Sequence, residues 1–170
     1  GADSVEALTL PFWEDFSVFS SDTSGRRLPV PDTTRWTESS RHVWVNRSMG
    51  INYPSLGIAT FDGVTQAGRP HSQNEEAIGW QDSLISRRID LGNLSAEEEN
   101  TVYLSFFYQF QGLGEPPDLE DSLSVSFLQA DTTWRQVWSI GGAGSNNPAV
   151  FEQATIPVTD EAFHHQNFRF

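Results

Sequence analysis

The densest gathering of reactive side chains lies between two apolar stretches, where Glu115, Asp118, Glu120 and Asp121 bring four carboxyls close together around Pro116 and Pro117. Two carboxyls about 5–10 Å apart are the equipment of glycoside hydrolysis, one working as acid and the other as base or nucleophile. That chemistry needs both groups held rigidly at that separation across a substrate groove. Here they occupy a proline-rich connection in which Asp121 alone approaches a strand. The expectation is a solvated loop.

Other catalytic patterns fare no better. His164 and His165 are adjacent, so on a strand their side chains point to opposite faces and cannot share one metal. With His42 and His71 they read as surface or boundary histidines. No Gly-x-Ser-x-Gly elbow occurs, and Gly141-Gly142-Ala143-Gly144 is not followed by a helical pattern that could seat a phosphate. The chain contains neither cysteine nor lysine, all ten basic residues being arginine. Thiol nucleophiles, thiolate zinc sites, disulfides, Schiff bases, the P-loop and Lys–Asn isopeptide bonds are therefore excluded. A non-enzymatic role is expected.

Aromatic side chains offer a different chemistry. The tryptophans at positions 13, 36, 44, 80, 134 and 138 suit either a core, since aromatics dominate buried area, or a platform for stacking sugar rings. The core is the expectation for the set. Trp80, beside Gly79 in a polar stretch, is the candidate ligand-binding residue.

At 170 residues the chain is long enough to bury a sizeable core without staples and is read as one domain, residues 10–170, preceded by a loose polar segment, residues 1–9. Its 23 acids against ten arginines give a net charge of −13, which repels nucleic acid and anionic membranes. A solvated surface encoded by a GC-rich genome explains the bias; adaptation to high salt, which screens acidic self-repulsion, is the sharper alternative. No apolar run approaches the roughly 20 residues of a membrane span.

The elements that must position any site are strands. In residues 101–111, Val102, Leu104, Phe106, Tyr108 and Phe110 share one face, while Phe107 joins Tyr103, Ser105, Gln109 and Gln111 on the other. In residues 121–129, Leu123, Val125 and Phe127 oppose Ser122, Ser124 and Ser126. Such alternation predicts half-buried strands. With residues 134–140 they are expected to form an antiparallel meander.

Further strands are predicted at 10–19, 35–37, 42–46, 57–61, 83–91, 151–158 and 163–170, with a long loop over 64–80. Ser95 and Glu98 form a capping-box pattern for one helical turn within 94–100. Short strands separated by frequent turn signals predict an all-β fold, a two-sheet antiparallel β-sandwich with jelly-roll or Greek-key topology.

The ordered pieces "LPFWEDF", "VWVN", "SLGIATFDG", "DSLISRRIDL", "LSFFYQFQGLGEPPDLEDSLSVSF", "WRQVW" and "FRF" resemble a jelly-roll domain of bacterial exported proteins and are similar to the MAM domains (meprin, A5, receptor phosphatase mu). The resemblance runs from Leu10 onward. It implies a non-catalytic module for adhesion or protein–protein contact, secreted or displayed on the cell surface through a gliding-motility type of export, with a cell-surface protein or glycan as partner and no membrane insertion. A carbohydrate-binding module is the alternative, and a glycosidase or lyase on the same fold the least favoured. The paired cysteines of MAM domains are missing here. So is an Asp-bearing strand after "FRF", which implies a fragment of a longer parent chain with one sheet edge open.

Jelly-roll relatives also imply a structural calcium. Asp15, Asp62 and Asp82, near expected strand ends, are the candidate ligands. Asp15-Phe16-Ser17 stands where MAM domains carry Asp-Phe-Glu, so one oxygen ligand of that pattern is lost. No other cofactor is expected.

Overall fold

The computed structural model describes residues 6–64, 69, 82–142 and 147–170. Among these the regular elements are six strands and three short 3-10 turns, so the fold is all-β. The strands are β1 (Trp44–Asn46), β2 (Ile58–Thr60), β3 (Tyr103–Tyr108), β4 (Ser122–Leu128), β5 (Trp134–Gly141) and β6 (Glu152–Pro157). They form three two-stranded antiparallel ladders, β1–β2, β3–β6 and β4–β5. The chain divides into two compact units. One comprises Gly1–Phe12, Gly50–Pro54 and Arg88–Phe170; the other comprises Trp13–Met49 and Ser55–Arg87.

The first unit is built on β3–β6 and β4–β5. The expected meander is corrected here: β4 and β5 form its hairpin, but β3 pairs with β6 instead of β4. The reason lies in the apolar faces. Leu104 and Phe106 lie opposite Ile156 and Ala154, and they pack onto the same core as Val125 and Phe127 of β4 and Trp138 of β5. Packed on one shared core, the apolar faces of both ladders are covered; joined edge to edge, both would need a further cover.

Val125 pairs with Trp138 and Ser126 with Gln136, so Val137 is an extra residue in β5. This bulge breaks strict alternation, and Val137 and Trp138 both pack against the core. Phe127, Phe163 and Phe168 meet at its centre, with centroids 5.2–6.2 Å apart and edges turned to faces. That arrangement is favoured by the ring quadrupoles.

Four predicted strands form no ladder, 163–170 and 10–19 among them. In residues 163–170, Asp160 accepts from the Ala162 N–H and starts the 3-10 turn Glu161–Phe163. The chain becomes extended again only around Phe168, which bridges Ile89. There the Phe168 carbonyl accepts from Ile89 N–H at 2.8 Å and the Arg169 carbonyl from Leu128 N–H at 3.0 Å. In residues 10–19, Glu14 and Asp15 accept from the N–H groups of Phe16 and Ser17, and Phe16 adopts a positive φ of 53°. These local bonds take the backbone donors that a ladder would use.

The second unit holds β1–β2 and the bridge Trp36–Ser86. The predicted segments 35–37 and 83–91 reduce to isolated bridges. Glu14 organises this unit: its carboxylate accepts from Phe16 N–H at 2.6 Å and Trp36 Nε1 at 2.8 Å, and it faces Arg35 at 3.5 Å. The Phe16 and Trp36 rings are stacked on one another, 6.1 Å apart and 13° from parallel. Val30, Trp36, Val43 and Val45 are buried.

The capping box forms as expected in the first unit. Ser95 N–H and Oγ both donate to Glu98 at 2.8 Å, ahead of the 3-10 turn Glu98–Asn100. These bonds hold the Glu98 carboxyl below its ordinary pKa.

Candidate functional site

The inner and outer faces of β3–β6 differ sharply. Inside, Tyr108 and Phe106 set their rings against Trp138 at 5.2 and 5.3 Å. The Tyr108 hydroxyl donates to Glu152 across the ladder at 3.0 Å. Burial, aided by that bond, pushes the Tyr108 hydroxyl above its ordinary pKa. The inner face therefore gives the ladder a stiff backing.

Outside, Tyr103 is 56% exposed and Phe107 is 52% exposed. Register places Tyr103 opposite Pro157, Ser105 opposite Thr155 and Phe107 opposite Gln153. Gln153 Nε2 donates to Ser105 Oγ at 2.8 Å and ties the polar middle of the face together. The result is a band: an aromatic ring at each end, with hydroxyls and an amide between. Four residues of strand separate Tyr103 from Phe107, roughly 13 Å at ~3.3 Å per residue.

An open cleft of about 290 Å³ continues this face beside Phe107, lined also by Ile51, Asn52, Pro54, Ala149, Val150 and Phe151. Gln109 holds its walls. Its Oε1 accepts from Ile51 N–H at 3.1 Å, and its Nε2 donates to the carbonyls of Ile51 at 3.0 Å and Ala149 at 2.7 Å. One side chain thus does for two loops what a neighbouring strand does for a ladder. Gln111 N–H donates to Pro148 at 2.8 Å beside it.

The chain matches no family model, no curated protein and no solved structure.

The residues predicted from sequence lie elsewhere. Trp80 and His71 fall outside the described residues. Asp82 accepts from Gly63 N–H at 2.9 Å, and Asp62 from Val64 N–H at 3.2 Å. Asp15 spends one carboxylate oxygen on Ser17 N–H at 3.0 Å, and that contact with Ser17 lowers its pKa. Among the described residues, no three acidic or histidine side chains form a metal-ligand group.

The acidic loop is exposed at Glu115, Asp118, Glu120 and Asp121. Asp121 accepts from Asp118 N–H at 2.9 Å and shapes the turn into β4. His164 and His165 turn to different acceptors, the carbonyls of Val158 at 2.7 Å and Leu128 at 3.1 Å. Among the tryptophans, Trp36 is buried, whereas Trp13 is 72% exposed and Trp134 46% exposed. The core expectation thus fails for these two. In the second unit, Arg27 and Arg47 lie over the Phe19 ring at 5.9 and 5.7 Å from its centroid.

The alternation of residues 101–111 puts Tyr103 and Phe107 on the wet face, and their role as a pair is not legible in that stretch alone. The available signal was their type: large aromatics recurring on the polar side of an alternating strand. No helix among the described residues is long and apolar enough to cross a membrane.

Proposed function

We propose that this chain is a non-catalytic recognition module of an exported or cell-surface protein, acting in adhesion, and that it presents the outer face of β3–β6 to its ligand. The finer architecture belongs to the same reading: a jelly-roll sandwich of the MAM-like kind, in which the two ladders of the first unit are parts of opposing sheets. The observation that carries the proposal is the exposure of Tyr103 and Phe107 on a ladder whose reverse side is packed. Aromatic anchors on a stiff support lose little conformational freedom on binding, which is why they dominate recognition surfaces.

The ligand of such a face is a cell-surface protein or a glycan. The glycan alternative is favoured by the hydroxyl and amide groups of Ser105, Thr155 and Gln153 between the two rings, since a protein hot spot is more continuously apolar at its centre.

Attachment of beads coated with the chain to cell envelopes tests the adhesion reading. Wild-type beads are retained, and the double variant Tyr103→Ser, Phe107→Ser, with an unchanged melting temperature, is not. Equal retention of the two, or retention of neither, overturns it.

A further inference from the structure

We infer that the outer face of β3–β6 binds an uncharged oligosaccharide laid along the strands, one sugar ring on Tyr103, another on Phe107, and the chain continuing into the cleft beside Val150. The inference rests on the recognition reading of that face and supplies its ligand class.

Charge is the first argument. The outward positions Tyr103, Ser105 and Phe107 of β3, and Gln153, Thr155 and Pro157 of β6, are all exposed and all uncharged. This holds in a chain with ten basic and 23 acidic residues. A ligand carrying sulfate, phosphate or carboxylate would find no cation on this face and a net charge of −13 around it. A neutral ligand meets neither obstacle.

Amphipathic matching is the second. A pyranose has an apolar C–H face and a polar hydroxyl rim. The C–H face fits the exposed rings; the rim needs donors and acceptors between them. Ser105 Oγ already accepts from Gln153 Nε2, so its own proton can be directed at a sugar hydroxyl. Thr155 adds a hydroxyl on the neighbouring strand. The separation of the rings, roughly 13 Å at ~3.3 Å per residue, is too long for one monosaccharide, so the ligand is a chain. The cleft of about 290 Å³ beside Phe107 gives that chain a place to end or bend.

Affinity electrophoresis of the intact chain through gels containing a neutral polysaccharide (β-glucan, xylan or galactomannan) or an acidic one (polygalacturonate or dextran sulfate) tests this. At least one neutral gel retards the wild type. Tyr103→Ala and Phe107→Ala each weaken the retardation about tenfold, the effect of losing ~1.4 kcal/mol of stacking, while Phe107→Tyr retains it. Melting temperatures of all variants stay within a few degrees of wild type, as outward side chains allow. Absence of retardation in every neutral gel, retardation by acidic gels alone, or retardation unchanged in both alanine variants overturns the inference. If no neutral gel retards the chain but bead attachment is still lost in the double variant, the glycan fails as ligand and the adhesion reading survives. If attachment is also indifferent to the variants, both fall.

Discussion

The side-chain amide of Gln109 pairs with the backbone of Ile51 in both directions, accepting its N–H at 3.1 Å and donating to its carbonyl at 3.0 Å. A third bond reaches the Ala149 carbonyl at 2.7 Å. Gln109→Ala should destabilise the first unit by about 1–3 kcal/mol, because partly buried backbone groups lose their partners. Gln109→Glu should cost at least as much, since its carboxylate faces two carbonyls where the amide donated. Denaturant unfolding checks the magnitude. Faster hydrogen exchange at Ile51 N–H locates it.

Glu14 gathers donors from Phe16, Trp36 and Arg35 while its side chain is only 6% exposed. Glu14→Gln turns an N–H donor toward one of those donors. The expected loss is about 2–3 kcal/mol, the range for hydrogen bonds to a charged group. It should be accompanied by a changed near-ultraviolet signal from Trp36. Unaltered stability would mean that this carboxylate does not organise the unit.

Gly57 has no room for a side chain: an added Cβ would strike the Phe16 carbonyl, and the Gly57 N–H donates to the Asp15 carbonyl at 2.9 Å. Gly57→Ala must push two backbone segments apart. Overpacking of this kind costs about 1–3 kcal/mol. Gly25→Ala is the comparison, because nothing lies within 4 Å of its added Cβ and only its φ of +79° opposes the change. Thermal melts of the two variants should rank Gly57→Ala as the less stable.

Tyr108 ionises later than an ordinary tyrosine because burial and its bond to Glu152 favour the neutral hydroxyl. A folded-state pKa above the unfolded one means that the unfolded chain releases this proton first. The contribution to stability is therefore full below about pH 10, the ordinary tyrosine value, and is lost as pH rises through the folded-state pKa. Tyr108→Phe should flatten the alkaline fall in stability and remove one late-ionising group from a tyrosinate absorbance titration.

The acid side runs in the opposite sense. Asp160 is held below the ordinary carboxyl value by its bond from Ala162 N–H and then by Arg135 at 2.8 Å. A depressed folded pKa stabilises above the unfolded value and the contribution disappears as pH falls through the folded one. Asp160→Asn keeps an acceptor for Ala162 but no charge for Arg135. Its stability should depend less steeply on pH between about 2 and 5, as unfolding at a series of pH values would show.

Legibility varied from element to element. The alternation of residues 101–111 located β3 and sorted its two faces correctly, down to Phe107 on the wet side. Residues 151–158 located β6 to within a residue at each end. Residues 10–19 were misread because Phe12, Glu14, Phe16 and Val18 mimic period two. What the pattern hides is that Glu14 and Asp15 capture the next-but-one backbone N–H groups. The candidate site was missed for another reason. Tyr103 and Phe107 become a platform only when β6 supplies Ser105 and Phe107 with Thr155 and Gln153 as neighbours, and that pairing joins segments nearly fifty residues apart in register.

By itself, the amino-acid sequence determined the class of fold, the exclusion of thiol and lysine chemistry, the acidic balance of charge and which side of β3 and β4 is apolar. All of these follow from residue type and near-neighbour spacing, which act locally. Tertiary structure alone decided that β3 takes β6 as partner, that Gln109 holds two loops and that the outward rings and polar groups share one uncharged face. Those outcomes depend on which apolar surfaces can cover one another, and burial is settled only when distant segments meet.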